Sequence, residues 1–306
     1  MIHIIVFSFN RALQLDALLA SVQQHWSKTA HQLAVLYNTS NDEYQAGYNI
    51  LERRYPQYQF IKETNGKHRY PCKDYLSFFN LKKLIRYKHC RWQKSNFRDL
   101  LIEIVTKSSC KQIMFLTDDS IFIRKIELND EILEWINQDS NQNSFSLRLG
   151  KSINTPQKQL PPPISNIISW NYSDYDKSNN WGYRFSVDGH IYSKQLMIKL
   201  IKNIIFNNPS TLEAHLHNYV HTHNLLNKGK TGINPCLLSY PINMVQTIVN
   251  NKSLGVSETL LNEYLLHGKH LIYPIPEHPT EFQQYPEYIV LKGTSGIEEL
   301  KINYEQ

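Results

Sequence analysis

The chain has 306 residues, of which 41% are hydrophobic and 20% are charged. This balance excludes an intrinsically disordered chain and predicts a packed globular protein with one large domain or two smaller ones. The formal net charge of +6 is too mild and too diffuse to indicate a nucleic-acid partner, although it favours anionic ligands such as nucleotide phosphates.

The four cysteines have no C-x-x-C spacing, which is typical of thiols in a reducing compartment. The first residues lack the features of a signal peptide, and no apolar run is long enough to cross a bilayer. We therefore expect a cytoplasmic protein. A basic stretch is read first as a solvated helix face and second as a surface for an anionic acceptor or for membrane headgroups, which keeps peripheral membrane contact open. The stretch contains Lys82, Lys83, Arg86, Lys88, Arg91, Lys94 and Arg98.

Strands and helices alternate over the first part of the chain. Strands are predicted at residues 2–9, 31–37, 58–61 and 112–117. An amphipathic helix follows the first strand, and further helices are predicted at residues 43–55, 74–88 and 95–108. A break is expected at Asn65 and Gly66. This alternation predicts a parallel, doubly wound α/β sheet.

The pattern changes after the fourth strand. The Pro-rich residues 160–163 cannot form regular structure. A strand bent at Gly189 is expected, and Ser210 or Thr211 is the expected N-cap of a later helix. Helices are predicted at residues 126–138, 194–205 and 210–226, and strands at residues 145–149, 167–170 and 181–192.

Two adjacent carboxylates, Asp118 and Asp119, end the fourth predicted strand. In open α/β sheets, ligands bind where parallel strands end. Side-by-side carboxylates repel each other, and a cation shared with a phosphorylated ligand relieves that repulsion. A solvated Asp-Asp turn is the simpler explanation of the dipeptide alone, so its meaning depends on the neighbouring segments.

Five segments together resemble nucleotide-sugar-dependent glycosyltransferases of the GT-A fold, nearest to family-2-like enzymes. They are IVFSFNR (residues 5–11), LYNTSND (36–42), TDD (117–119), VDGH (187–190) and STLE (210–213). The resemblance extends over residues 2–225. It implies a Rossmann-like, mostly parallel sheet flanked by helices, with a nucleotide-sugar-binding half at residues 1–125. It also implies an acceptor-side half of the same domain at residues 126–250 and a C-terminal extension at residues 251–306.

The resemblance also implies roles for individual residues. A divalent metal, Mg²⁺ or Mn²⁺, would bind Asp119, with His190 as a second ligand. The base that takes the acceptor proton would be Glu213 or Asp188. Glu213 has a capping-box role with Ser210 as its alternative, and Asp188 has a turn role. The residues expected to bind the donor are Phe7, Ser8, Asn10, Arg11, Asn38, Asp42 and Asp118.

The function implied is metal-assisted, inverting transfer of a sugar from a nucleotide donor to a glycan, lipid-linked or protein acceptor, as in polysaccharide biosynthesis. Two departures from the family pattern stand out. No acidic residue directly follows the second strand, and Ser120 occupies the last position of the D-x-D motif. A non-catalytic sugar-nucleotide-binding protein is therefore one alternative. A nucleotidyltransferase is another, although the turn at residues 8–13 lacks the glycines such enzymes use.

Overall fold

The computed structural model describes residues 1–26, 30–69, 92–126, 128–153, 159–243, 256–294 and 296–302. The helix predicted at residues 74–88 lies outside these residues, as does most of the basic stretch.

The described strands and helices alternate in the first half of the chain as expected. The strands are β1 (Ile2–Phe9), β2 (His31–Asn38), β3 (Gln59–Lys62), β4 (Asn65–Arg69), β5 (Trp92–Ser95), β6 (Gln112–Thr117), β7 (Ser120–Phe122), β8 (Asn143–Ser146), β9 (Ile167–Asn171), β10 (His190–Ser193), β11 (Lys228–Gly232), β12 (Leu237–Ser239), β13 (His270–Ile272), β14 (Tyr288–Gly293) and β15 (Gly296–Lys301). The α-helices are α1 (Ala12–His25), α2 (Asp42–Arg54), α3 (Phe97–Lys107), α4 (Asp130–Gln138), α5 (Lys194–Asn203), α6 (Pro209–Thr222) and α7 (Glu258–Leu266).

Eight strands form one central sheet in the order β3-β2-β1-β6-β10-β8-β11-β9. All of them run parallel except β10 and the edge strand β9. The predicted α/β class with a mostly parallel sheet is therefore confirmed. Because β1, β2 and β6 are parallel neighbours, their carboxyl ends meet at one edge of the sheet. Strands from the second predicted half, β8, β9, β10 and β11, complete the same sheet.

Strand β1 is buried on both faces, as a central parallel strand should be. Alternate residues of a strand point to opposite faces. Ile4 and Val6 therefore enter a core formed with α1 and α2, while Ile5 and Phe7 enter a second core formed with α3, α5 and α6. Helices thus cover the sheet from both sides and hold its strand ends in fixed positions.

The C-terminal strands β13, β14 and β15 form a separate antiparallel sheet, which is fastened to α1 by a buried carboxylate. Asp16 is 1% exposed. It accepts hydrogen bonds from Arg54 (2.6 Å), His270 (2.9 Å) and Tyr55 Oη (2.9 Å). These contacts join α1, α2 and β13, so the C-terminal region is packed against the start of the chain. The domain boundaries at residues 125 and 250 stay predictions.

Several predicted boundaries are wrong for local reasons. Helix α4 begins at Asp130 and not at residue 126, because the Asn129 side chain caps it by accepting from Ile132 N at 2.9 Å. Helix α6 has Asn208 as its N-cap, in place of Ser210 or Thr211, and ends at Thr222. Asn65 begins a strand, β4, that pairs with β5. Within the described residues, no helix combines the length and the hydrophobicity needed to cross a bilayer.

Candidate active site

Asp118 is held at the carboxyl edge of the sheet by donors from β1 and the turn that follows it. It is 3% exposed. Its carboxylate accepts from Ser8 Oγ (2.8 Å), from Phe9 N (3.3 Å) and from Arg11 Nη1 (3.1 Å). Burial raises its pKa to about 6, against the opposing charge of Arg11 and with a further increase from Asp119. Asp118 is therefore a fixed, fully hydrogen-bonded group.

The turn after β1 is shaped by Asn10, whose backbone lies in the left-handed region (φ 56°). Asparagine tolerates this conformation better than most residues. Its side-chain amide donates to Ser40 Oγ and its carbonyl accepts from Ser40 N, both at 2.9 Å. Asn38 in turn donates to Glu63 (3.3 Å) and Asn65 (2.7 Å). Asn10 and Asn38 therefore lie at neighbouring strand ends and hold those ends together.

Tyr48 on α2 supports the same turn, which the sequence did not predict. Its fully buried hydroxyl lies 2.6 Å from Ser8 Oγ and accepts from Arg11 N at 3.2 Å. The signal available in the sequence is a tyrosine on the apolar side of an amphipathic helix. Such a residue is ordinarily assigned to the core, and only the three-dimensional structure shows what its hydroxyl contacts.

Asp119 and Asp188 share one hydroxyl group. Thr117 Oγ1 lies 2.7 Å from Asp119 Oδ1 and 2.7 Å from Asp188 Oδ1. A threonine hydroxyl carries a single proton, so it donates to only one carboxylate at a time. Burial, Glu213 and Asp119 raise the pKa of Asp188 to about 7. The side chains of Asp119 and Asp188 are 14% and 20% exposed, so a ligand can reach both.

Glu213 is the fourth acidic residue of this edge. Its Oε1 accepts from Val187 N at 3.2 Å. The capping box of α6 is formed by Asn208 and Thr211, so the alternative that assigned Glu213 a capping-box role with Ser210 is wrong. Burial raises the pKa of Glu213, and the charge of Arg148 opposes that rise.

Arg148 is the buried cation beside this acidic group, and the sequence reasoning missed it. It is 5% exposed. Its guanidinium donates to Ser186 Oγ (2.9 Å), lies 4.0 Å from Asp188 Oδ2 and stacks 4.6 Å from the centre of the Phe282 ring. The available signal is an arginine between Leu147 and Leu149, within a segment predicted to be a strand.

Three predicted site residues lie in other environments. The prediction that Phe7 binds the donor is corrected: its ring packs against Phe97 and Phe115 in the core, with centroids 5.4 and 5.6 Å away, and is 4% exposed. Asp42 is exposed in the first turn of α2, where the helix dipole favours a carboxylate. His190 is fully buried in β10, and burial lowers its pKa well below the ordinary value.

The sequence predicts His190 as a second metal ligand beside Asp119. Neither ring nitrogen of His190 has a hydrogen-bond partner within the described residues. In the same part of the chain, no group of three or more His, Cys, Asp or Glu side chains is placed to hold a metal ion. Asp119 and Asp188 are the carboxylates that share a contact, through Thr117 Oγ1. Metal binding by Asp119 and His190 stays a prediction.

Comparison with known proteins shows a partial similarity. No protein-family model matches the chain. In an alignment 226 residues long, which covers 67% of this chain, the chain is 24% identical to the bifunctional glycosyltransferase pgtA of Dictyostelium discoideum. The aligned region spans only 25% of that relative.

Among solved structures, the chain is similar to TarS of S. aureus. For residues 1–349 of TarS the TM-score is 0.41, with 12% identity and coverage of 76% of this chain and 58% of the other. For the same fragment in complex with UDP the TM-score is 0.44, with 11% identity and coverage of 77% and 59%. The resemblance to glycosyltransferases drawn from the sequence is thus confirmed by a curated relative of that name, of which the chain spans about a quarter.

Proposed function

We propose that this chain transfers a glycosyl group from a nucleoside diphosphate sugar to a hydroxyl of a glycan, lipid-linked or protein acceptor. The observation that carries the proposal is the convergence of Asp118, Asp119, Asp188 and Glu213 at the edge where β1 and β6 end. Ligands of open α/β sheets bind at this edge. The sequence similarity to a protein named as a glycosyltransferase supports the same reaction class.

The residues at this edge fit a divalent metal ion. Asp119 and Asp188 supply two partly exposed carboxylates with one shared hydroxyl proton between them, so their negative charge is incompletely compensated. Mg²⁺ is commonly bound by one or two carboxylates together with substrate phosphates, so a third protein ligand is not required. When bound, such an ion would supply charge stabilisation to the diphosphate leaving group.

Donor binding is assigned to the turn after β1. Phe9 is 39% exposed at the end of that strand, where its ring is available to stack on a nucleobase. Arg11 and the backbone around Asn10 are positioned by Tyr48 and Ser40. Because these groups are held by hydrogen bonds before any ligand binds, little ordering would be needed on donor binding.

We assign proton removal from the acceptor hydroxyl to Glu213. Asp188 is the second candidate for the case in which Asp119 alone holds the metal ion. A general base works best when its pKa lies near the operating pH, and both carboxyl groups have a raised pKa. The positive charge of Arg148 opposes that rise in the pKa of both carboxyl groups. A base acting on the acceptor in a single displacement would give inversion at the sugar carbon, which we propose as the stereochemical outcome.

A non-catalytic sugar-nucleotide-binding protein is the second candidate. The observation that favours it concerns Arg11, whose Nη1 lies 3.1 Å from Asp118 Oδ1 and 3.6 Å from Asp119 Oδ2. This guanidinium already compensates part of the acidic charge, so a nucleotide could bind here without a metal and without turnover.

Calorimetric titration with UDP-, GDP- and CMP-sugars, with and without Mn²⁺, tests the proposal. We expect Mn²⁺-dependent binding of one donor class, with release of the nucleotide product on longer incubation. Asp119→Asn should weaken the Mn²⁺-dependent part of the binding. Asp130→Asn, at an exposed position in the first turn of α4, serves as the matched control and should bind as wild type does. Binding without product release would favour the second candidate, and no binding of any donor would contradict both.

A further inference from the structure

Asp118, Asp119, Asp188 and Glu213 form what we call the acidic edge. A cleft of about 310 Å³ opens beside it and is not used by the proposed donor site. It lies between the residue after β12 and the C-terminal segment at residues 274–288. Its walls are mainly aromatic and proline side chains. The aromatic and proline residues of these walls include Tyr240, Pro274, Pro276, Tyr285 and Tyr288.

The cleft is tied directly to the acidic edge. Tyr240 N donates to the carbonyl oxygen of Asp119 at 2.8 Å, and Gln284 N donates to Ser239 O at 2.8 Å. Burial and the nearby charge of Asp119 raise the pKa of Tyr285. Residues 282–284 therefore run alongside β12, and the cleft lies next to Asp119.

The composition of the cleft selects a ligand class. Within the described residues, no lysine, arginine or histidine side chain lines it, and Glu287 adds a negative charge. A diphosphate would therefore find no positive charge in the cleft to stabilise it. Its polar groups are the Gln284 amide, the Glu287 carboxylate and the hydroxyls of Tyr285 and Tyr288, set among flat apolar faces. Tyr240 is fully buried at the base of the cleft, and its hydroxyl donates to Pro274 O at 2.9 Å. Tyr288 is 40% exposed, which leaves a large ring surface available for contact.

We propose that this cleft binds a neutral carbohydrate ring of the acceptor. A sugar ring presents C–H faces that pack on aromatic rings and a rim of hydroxyls that hydrogen-bond to amides and carboxylates, which is the combination found here. That the bound sugar belongs to the acceptor rests on the proposed function, whereas the binding of a saccharide to the cleft does not.

Saturation-transfer NMR on the full chain tests this directly. The probes are the α- and β-methyl glycosides of glucose, galactose, mannose and N-acetylglucosamine. We expect at least one of them to receive saturation from the wild-type protein. Tyr288→Ala should weaken its binding about 3- to 10-fold, because the stacking face is lost, while Tyr288→Phe keeps the face and should bind as wild type does.

Three results would overturn the inference. One is that no glycoside binds to the wild-type protein. Another is that Tyr288→Phe weakens binding as much as Tyr288→Ala does, since stacking would then not be the cause. The third is binding of an oligoproline peptide with no glycoside binding, which would assign the cleft to a polypeptide. Tyr285→Ala is a second variant for the same comparison, and near-ultraviolet circular dichroism verifies that each variant is folded.

This experiment and the donor experiment together separate this inference from the proposed function. Glycoside binding without nucleotide release from any donor would contradict the transferase proposal and leave the cleft assignment standing. Donor turnover by a protein that binds none of these glycosides would support the transferase proposal and contradict the cleft assignment.

Discussion

Replacing Arg148 should lower the free energy of unfolding of the protein, because the acidic edge would lose a buried positive charge. Its guanidinium is buried, donates to Ser186 and Asn180, and lies 4.0 Å from Asp188. Two opposite charges at that distance attract by about 4 kcal/mol at an effective dielectric constant of about 20. Removing one partner of a buried pair leaves the other uncompensated, and this usually costs about 3–5 kcal/mol. We therefore expect Arg148→Met to lower the free energy of unfolding by about 3–5 kcal/mol.

Urea denaturation at pH 8, with a chelator present so that no bound cation contributes, measures this loss. Arg53→Met, on the exposed side of α2, is the matched control and should change stability by about 0.5 kcal/mol or less. In the double variant with Asp188→Asn, part of the cost should be recovered, giving a coupling of about 0.5–3 kcal/mol. A loss below about 1 kcal/mol in Arg148→Met, together with no coupling, would refute the reasoning.

Three further predictions concern the fold. Burial and the neighbouring Lys194 lower the pKa of His3 to about 4, so the unfolded state binds a proton on this residue more tightly than the folded state does. Between pH 7 and pH 5 the free energy of unfolding of the wild-type protein, measured by urea denaturation, should therefore fall by about 2 kcal/mol more than that of His3→Gln. Equal losses in the two proteins would contradict this. Asp16→Asn weakens the buried salt bridge to Arg54 and should lower the free energy of unfolding by about 2–3 kcal/mol, as measured by thermal unfolding. An unchanged melting temperature would contradict this. A Cβ on Gly229 would lie 2.4 Å from the Trp170 ring, so Gly229→Ala should cost about 1–3 kcal/mol by overpacking, and a neutral effect would show that the ring moves freely.

The elements that carry the acidic edge could be predicted because local patterns determine them. The apolar runs of β1 and β6 are interrupted by Asn10 and by Asp118, and parallel pairing brings those breaks to one edge. Asp188 and Glu213 are implied by the resemblance to a family, and the structure brings Glu213 close enough to Asp188 to raise the pKa of Asp188.

The segment predicted as a strand over residues 181–192 shows where local patterns fail. Only His190–Ser193 is a strand, although Trp181, Phe185 and Val187 are buried. The backbone N–H groups of Trp181 and Val187 donate to side chains and not to a neighbouring strand, as when Val187 N donates to Glu213 Oε1 at 3.2 Å. Burial and alternation therefore matched a strand while the hydrogen bonds were those of a loop.

Arg148 and Tyr48 could not be predicted as site residues for a related reason. Each is an ordinary residue of its own element, and its role depends on contacts made by distant parts of the chain. Phe282, which lies under Arg148, belongs to the C-terminal region. No local spacing reports such a contact, so the compensation of the acidic charge became visible only in the folded chain.

Release of nucleoside diphosphate from a panel of nucleotide sugars, with Mn²⁺ and a pool of acceptor glycosides, tests the central claim most directly. We predict release from one donor class by the wild-type protein, and a loss of about 100-fold or more in Asp119→Asn at an unchanged melting temperature. Release by Asp119→Asn at the wild-type rate, or no release from any donor, would contradict the account.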